Sequence, residues 1–385
     1  MKIIAMPCRD YAPETVKINL EAALEALGGI SEWLKPGEKV LLKANLLTGK
    51  DPSEAVTTHP QVVHALAELL MEAGATVIIA DSPAGPFLSS RMKKIYRLTG
   101  MERVAEETGA SLNWNMESEE IHFGKGYRLK DFPVMKALHE VDHVISLCKM
   151  KTHSMTLMTG AVKNMFGVMP GLKKAELHFR FTDPEQFGHA LVDICEYARP
   201  VLSVMDGVEA MEGAGPSAGS VKKSGVLLVS RNPHDLDVAA AKLMGINPEN
   251  VPTIRAAQER NLCHFSPDDM DLGMETAEDR QAFKLPDTKD PDFLERYAEW
   301  PLIGPFLRQI SRRHLRPKPV LQAENCIGCA ECHIICPADA IRMEEHQPVF
   351  EYEKCIRCYC CQEICPEKAI WIYRPKILRR LDGNK

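Results

Sequence analysis

Eight cysteines form two runs, Cys326, Cys329, Cys332 and Cys336, then Cys355, Cys358, Cys361 and Cys365, at an offset of 29 residues. Each run reads C-x2-C-x2-C-x3-C-P and closes on Pro337 or Pro366. A cubane iron–sulfur cluster needs four thiolates converging on one small object. Gaps of two residues let a single loop curl around it and supply three, while the fourth comes from the other run. The spacing therefore predicts one [4Fe–4S] cluster on Cys326, Cys329, Cys332 and Cys365, and a second on Cys355, Cys358, Cys361 and Cys336. Zinc and disulfides are the alternatives. Zinc takes four ligands, often in C-x2-C pairs, and two identical four-cysteine runs fit it poorly. Crossed ligation would tie together a segment of about 55 residues, too short to build a large core unaided.

The repeat extends beyond the thiolates. Pro319-Val320-Leu321 matches Pro348-Val349-Phe350, and Ala340-Ile341 matches Ala369-Ile370. Cys360 breaks it, standing where the first copy has Glu331. It reads as a buried bystander thiol, with modulation of the second cluster as the alternative. Cys8, Cys148, Cys195 and Cys263 carry no metal spacing, and Cys195 falls in the apolar pattern of a helix.

A second set of chemistry-bearing residues lies upstream. Lys149-Met150-Lys151-Thr152-His153 ends an expected strand, and its two lysines, two positions apart, face the same side. Lys163 and Asn164 follow in a helical pattern. Lys43 and Asn45 close another strand, Asp81-Ser82 a third and Asp206-Gly207 a fourth. In open α/β sheets ligands bind beyond the carboxyl ends of the strands, where strand order reverses. Ammonium groups and amide donors converging there suit a carboxylate or phosphate. The competing explanation is that strand ends are polar because loops are wet. His153, Lys149, Lys151, Lys163 and Asn164 are the candidate catalytic residues. His59, His178 and His189 belong to no H-E-x-x-H type of pair and read as capping or packing residues. Residues 211–219, MEGAGPSAG, lack both a Walker A and a dinucleotide fingerprint. They read either as backbone that approaches a ligand or as a plain mobile loop.

The elements that must position these groups follow from periodicity. Helical patterns cover residues 14–34, stopping at Pro36-Gly37, as well as 184–199 and 234–244. Thr58-His59-Pro60-Gln61 reads as a capping box before a helix that places Val62, Leu66, Leu69 and Ala73 on one face. Apolar strands at 39–43, 76–80, 143–147, 201–205 and 225–229 alternate with the helices. The fold class expected is α/β, a mostly parallel sheet with helices on both faces, plus a small α+β ferredoxin-like two-cluster domain. The expected division is 1–260 for the α/β domain, 261–318 for a linker or helical segment, 319–373 for the cluster domain and 374–385 for a basic tail.

Composition narrows the class. At 385 residues, 45% hydrophobic and 26% charged, the chain matches an ordinary soluble protein of two or three domains. A net charge of −6 gives no general case for nucleic acid. No stretch approaches the ~18 apolar residues of a membrane span, and the apolar run in MKIIAMPCRD is too short for a signal peptide. Thirteen cysteines without such a signal imply a reducing compartment. The expectation is a cytoplasmic protein of an anaerobe. Arg308, Arg312, Arg313, Arg316 and Lys318 form a basic run that either docks an acidic partner or is a solvated helix face. Arg374, Lys376, Arg379 and Arg380 read the same way.

The segments VLLKANLL, TTHPQVVHAL, KMKTHSMTLMTGAVKNMFGVMPG, DGVEAMEGAGPSAG and NPHDLDVAAAKLMG resemble the domain-of-unknown-function 362 family. Many of its members carry a C-terminal two-cluster ferredoxin domain. The resemblance implies an iron–sulfur protein with no settled substrate, and it supports the strand-end residues as a site without giving them roles. Together these readings predict single-electron transfer through two clusters, fed by a soluble redox partner protein. A small anionic ligand would sit on Lys149, Lys151 and Lys163 of a reductase, with His153 as proton donor. The alternatives are a non-catalytic carrier subunit docked to a larger enzyme, or a ligand-binding module with structural or sensory clusters.

Overall fold

The computed structural model describes residues 2–263, 282–288 and 316–375. Strands β1 (Ile3–Pro7), β2 (Lys39–Ala44), β3 (Thr76–Ala80), β4 (Ser111–Leu112), β5 (Ser118–His122), β6 (Asp131–Met135), β7 (His143–His153), β8 (Leu157–Thr159), β9 (Leu202–Glu212) and β10 (Ser220–Ser230) run through the first 230 residues. All but the β5–β6 hairpin join an eight-stranded sheet of order β1-β10-β9-β7-β2-β3-β4, with β8 paired to β7. The five strands from β9 to β4 are parallel, so the expected α/β sheet is present. One edge departs from the parallel pattern. The short loop at 213–219 joins β9 to β10 as a hairpin, which forces antiparallel pairing, and β1 extends that edge antiparallel.

Alternation along the strands divides the core. Val40, Leu42, Ile145 and Leu147 face one layer, formed by α1 (Pro13–Ala26), α2 (Pro60–Glu72), α3 (Ser89–Leu98) and α4 (Met101–Thr108). The other face is covered by α5 (Ala161–Asn164), α6 (Lys173–Arg180), α7 (Pro184–Ala198), α8 (Pro233–Leu243) and α9 (Pro252–Glu259). Burial on both sides explains why the strands read as continuous apolar runs. α1 stops well short of Pro36, because Gly28 and Gly29 take φ of +103° and +83° and end it. At α2 the cap is His59, whose Nδ1 accepts from the Gln61 N–H at 3.1 Å. Thr58 instead donates to the Leu147 carbonyl at 2.9 Å, so it is no capping box.

The cysteine repeats form strands β11 (Lys318–Leu321), β12 (Ile341–Glu344), β13 (Gln347–Phe350) and β14 (Ile370–Tyr373), with short helices Glu331–Ile334 and Cys360–Ile364. β11 pairs with β14 and β12 with β13, so the outer strand of each copy closes on the other copy. Left-handed residues recur at the same offset. Gly328 and Arg357 have φ of 69° and 62°, Ala330 and Tyr359 61° and 63°, and Asp339 and Lys368 48° and 52°.

The expected linker is anchored where it is described. Phe283 is buried beside α8, its N–H bonded to the Met244 carbonyl at 3.0 Å. An apolar anchor inside an acidic, proline-bearing stretch was hidden by that composition. Arg308, Arg312, Arg313, Lys376, Arg379 and Arg380 lie outside the described residues. Arg374 is buried and 3.4 Å from Asp287, not solvated. Lys318 places its ammonium 4.5 Å from the Tyr352 ring centre. Among the described residues no helix is long and apolar enough to cross a membrane.

Candidate active site beneath the cysteine repeats

Strand order reverses at β2, which has β3 on one side and β7 on the other. Lys43 is the penultimate residue of β2 and Asp81 follows β3, and their buried side chains meet at 2.9 Å. Lys43 also donates to the Ala44 carbonyl at 2.7 Å and Asn164 Oδ1 at 2.9 Å, while Asp81 Oδ2 accepts from the Leu46 N–H at 2.7 Å. Burial pushes the Lys43 ammonium below its usual range, and Asp81 pulls it back. Gly167 lies over this pair, where a Cβ would collide with Asp81 Oδ1 and Lys43 Cε.

A single helical turn, α5, is held in place from α8. Asp237 accepts from the N–H groups of Ala161 and Val162 at 2.6 and 3.2 Å. Burial raises its carboxyl to about 7 against the pull of those two donors. α5 carries Lys163 and Asn164. Asn164 Nδ2 donates back to the Lys43 carbonyl at 2.9 Å, so this amide locks the helix to the strand end.

A cavity of about 620 Å³, counted out to its open mouth, lies over these strand ends. Lys43, Asn45 and Asp81 form its floor. Lys163 and Phe166 form one wall, Lys174 and His178 of α6 another, and Ile335, Cys360 and Glu363 of the cysteine repeats roof it. The Lys163 ammonium has no hydrogen-bond or ion-pair partner among the described residues and lies 5.7 Å from the Phe166 ring centre. Burial lowers its pKa, partly offset by Glu363. Lys174 donates to the neutral carbonyl oxygens of Ser82 and Pro83, and burial pushes it down to about 7. His178 packs 4.4 Å from the Phe187 ring, and its buried Nδ1 has no hydrogen-bond partner among the described residues. Burial holds this imidazole near 3, hence neutral.

The five candidate residues part company here. Lys163 and Asn164 line the cavity. Lys149 lies opposite Asp206 in the β7–β9 register and is ion-paired to it at 2.7 Å, with the Tyr11 hydroxyl at 2.9 Å. That charge is neutralised in place. Lys151 donates to Asn45 Oδ1 at 2.7 Å and the Val56 carbonyl at 2.6 Å. Burial first, then Lys163 and Lys149, push it down to about 7. His153 stands one residue behind the cavity wall, its Nε2 3.1 Å from Glu363 Oε1 though poorly aligned for a hydrogen bond. Burial holds His153 near 4. Burial alone would raise Glu363, but His153 and Lys163 outweigh it and hold the carboxyl near 2.

Lys174 and Glu363 escaped sequence reading, and His178 read only as a packing residue, because the cavity they line forms only where the cysteine repeats dock on the sheet. His189 packs against Tyr127 and meets Glu259 at 3.2 Å, away from the cavity. The glycine-rich loop does not line it either. Gly213 and Gly215 accept through their carbonyls from Thr152 and Ser154 at 3.0 and 3.1 Å, and Ser217 donates to the Gln362 carbonyl at 3.4 Å. The loop clasps β7 to the cysteine repeats.

Two further cavities, of about 350 and 340 Å³ counted out to their open mouths, lie among the cysteines. Cys326, Cys329, Cys332 and Cys365 line the first, and Cys336, Cys355, Cys358 and Cys361 the second. The N–H groups of Ala340 and Ala369 donate to Cys336 and Cys365 Sγ, each at 3.3 Å, an arrangement that favours thiolates. No three His, Cys, Asp or Glu among the described residues close to single-ion distance. Four thiol groups around a cavity suit an iron–sulfur cube better than one zinc ion. Cys360 lines both the second of these cavities and the lysine-walled one.

The chain is similar to known proteins. The thylakoid-associated protein sll1697 of Synechocystis sp. is 36% identical over 260 residues, which cover 66% of this chain and 77% of that protein. The lactate racemase apoprotein from Thermoanaerobacterium thermosaccharolyticum aligns at 12% identity with a TM-score of 0.41, over 63% of this chain and 57% of that one. Residues 318–366 match the 4Fe-4S dicluster domain. Residues 40–242, over half of the chain, match the domain of unknown function DUF362, and the chain belongs to that family.

Proposed function

We propose that this protein is an iron–sulfur oxidoreductase in which the α/β domain binds an anionic ligand for reduction. One [4Fe–4S] cluster is assigned to Cys326, Cys329, Cys332 and Cys365, and a second to Cys355, Cys358, Cys361 and Cys336. When bound, such clusters take up and release single electrons. The observation that carries the reading is the segment from Cys360 to Glu363, which borders both the second cysteine cavity and the lysine-walled one.

The chain's own residues supply the rest. Lys163, unpaired among the described residues, offers its ammonium to an anion, and Asn164, bonded to the Lys43 carbonyl, fixes the helical turn that carries it. His153 Nδ1 accepts from the N–H groups of Met155 and Thr156 at 3.0 and 3.3 Å, so its neutral ring carries the proton on Nε2, toward Glu363. His153 thus reaches the ligand only through Glu363. Ile327, 64% exposed beside the exposed Cys329, gives a soluble redox partner protein a face on the first site. A reducing compartment such as the cytoplasm suits these thiols.

Protein purified without oxygen tests the reading by native mass spectrometry and electron paramagnetic resonance. The expected result is the polypeptide plus two reversibly reducible clusters, with a further mass that is lost in Lys163→Gln. Two clusters and nothing more would favour a carrier subunit. Clusters that do not cycle would overturn electron transfer altogether.

A further inference from the structure

The two cysteine runs are near copies, so the residues that differ between them stand out. At the offset of 29 residues, Arg357 takes the place of Gly328, Cys360 that of Glu331, and Glu367 that of Ala338. Glu331 and Glu367 line the first cysteine cavity, whereas Cys360 and Ala338 line the second, whose wall holds no charged side chain. Glu331 is paired with Arg91 at 2.8 Å. Glu367 is exposed, and the neighbouring Lys368 turns to Glu54 at 2.8 Å instead. On the second run Glu363 lines the lysine-walled cavity rather than the cysteine one, 3.1 Å from His153.

Arg357 adds a cation on the second side. It holds a left-handed φ of 62° where the first run has glycine, and strain of this kind gathers at functional positions. Its backbone N–H and guanidinium lie within hydrogen-bonding reach of the Cys355 thiol. Its Nη1 is buried with no hydrogen-bond partner among the described residues. A guanidinium stays charged in any protein. Reduction adds one negative charge to an iron–sulfur cluster, so a fixed cation nearby favours it and a carboxylate opposes it. Exposure acts the other way, because water also stabilises the added charge, but the sites differ there by one thiol, Cys329 exposed and Cys358 half-buried. The donors from Ala340 and Ala369 are alike on both sides and cancel. We infer that Arg357 makes the second cysteine site the stronger electron acceptor and Glu367 makes the first the weaker one. An electron from a reduced one-electron carrier then enters at the exposed Cys329 face, leaving the carrier oxidised, and runs inward to the site beside the lysine-walled cavity. The inference rests on the electron-transfer reading above and gives it a direction.

Potentiometric titration of the full chain with dithionite, purified without oxygen and followed by electron paramagnetic resonance, tests it. Two one-electron steps are expected. Arg357→Gly, which suits the left-handed backbone, should lower the upper step by about 59 mV, tenfold in the one-electron equilibrium. Arg357→Lys keeps the charge and should leave that step nearly in place. Glu367→Gln, at an exposed position, should raise the lower step and spare the upper one. Iron content and circular dichroism of each variant separate a lost charge from a lost cluster, and if Arg357→Gly loses iron, Glu367→Gln alone decides. Arg357→Gly moving the lower step, or Glu367→Gln the upper, would reverse the order and overturn the inference while electron transfer stands. Steps that no variant moves, or that coincide in every variant, overturn it too. Wild-type clusters that do not cycle would instead sink the electron-transfer reading and take the direction down with it.

Discussion

A buried ammonium survives only while its counter-charge stays in place, and Lys43 shows this most directly. Asp81→Asn would leave Lys43 buried without compensation, at a cost of about 3–5 kcal/mol. Gly167→Ala should act on the same pair by steric wedging, since its Cβ would meet both partners. Urea denaturation under argon measures both, and an Asp81→Asn midpoint equal to wild type would refute the pair's importance. The histidines set a pH dependence. Burial holds His178 near 3 and His153 near 4, against ~6.5 in the unfolded chain. Between those values the unfolded chain takes up a proton at each ring that the folded chain refuses. Stability should therefore fall as pH falls from about 6.5 toward 4, by up to about 1.4 kcal/mol per pH unit per ring. Glu363, held near 2, adds to the loss only below about pH 4.5. His178→Phe should flatten the fall in urea midpoint between pH 7 and 5, and an unchanged slope would show that its ring titrates normally. At this scale the sequence was half legible. Lys149 and Lys151 share a spacing and a strand, but only the β7–β9 register reveals that Asp206 neutralises Lys149.

Among the elements, α5 matters out of proportion to its length. Four residues cannot hold a helix by themselves, and this turn is fixed by Asp237 from α8 at its start and by Asn164 on Lys43 at its end. Asp237→Ala should cost about 1–2 kcal/mol as a lost cap, and should also weaken any ligand that depends on Lys163. A variant that loses stability but keeps affinity would show that Lys163 is held by other contacts. The central strands were legible because burial on both faces writes itself as unbroken apolar runs. The antiparallel edge was not, since a strand's own residues do not record the direction of its neighbour. The cysteine repeats were legible down to their register, because each strand and helix start recurs at the offset seen in the thiols. The backbone holds left-handed turns at Arg357 and Tyr359 without glycine, a strain sustained by the surrounding loop rather than by residue type.

At the scale of the whole molecule, the two domains share a small apolar seam and several polar ties. Ala175, Ile335, Cys360 and Ile364 pack together. Around them Arg91 meets Glu331 and Lys368 meets Glu54, each at 2.8 Å, and Ser154 donates to Gln362 at 3.2 Å. This docking was invisible in the sequence, because its partners are at least 160 residues apart. It makes the cavity roof depend on the cysteine repeats, and a segment of this size depends in turn on its metal groups for folding. Removing iron with a chelator should therefore do more than unfold residues 316–375. Hydrogen exchange should rise in α6 and around Ala84, which lose their cover, while β2 and β3 stay protected within the sheet. Equal exchange in α6 before and after chelation would mean that the cavity stands without its roof. In that case Glu363 would have no structural claim on the ligand, and the case for a site shared between the domains would fall with it.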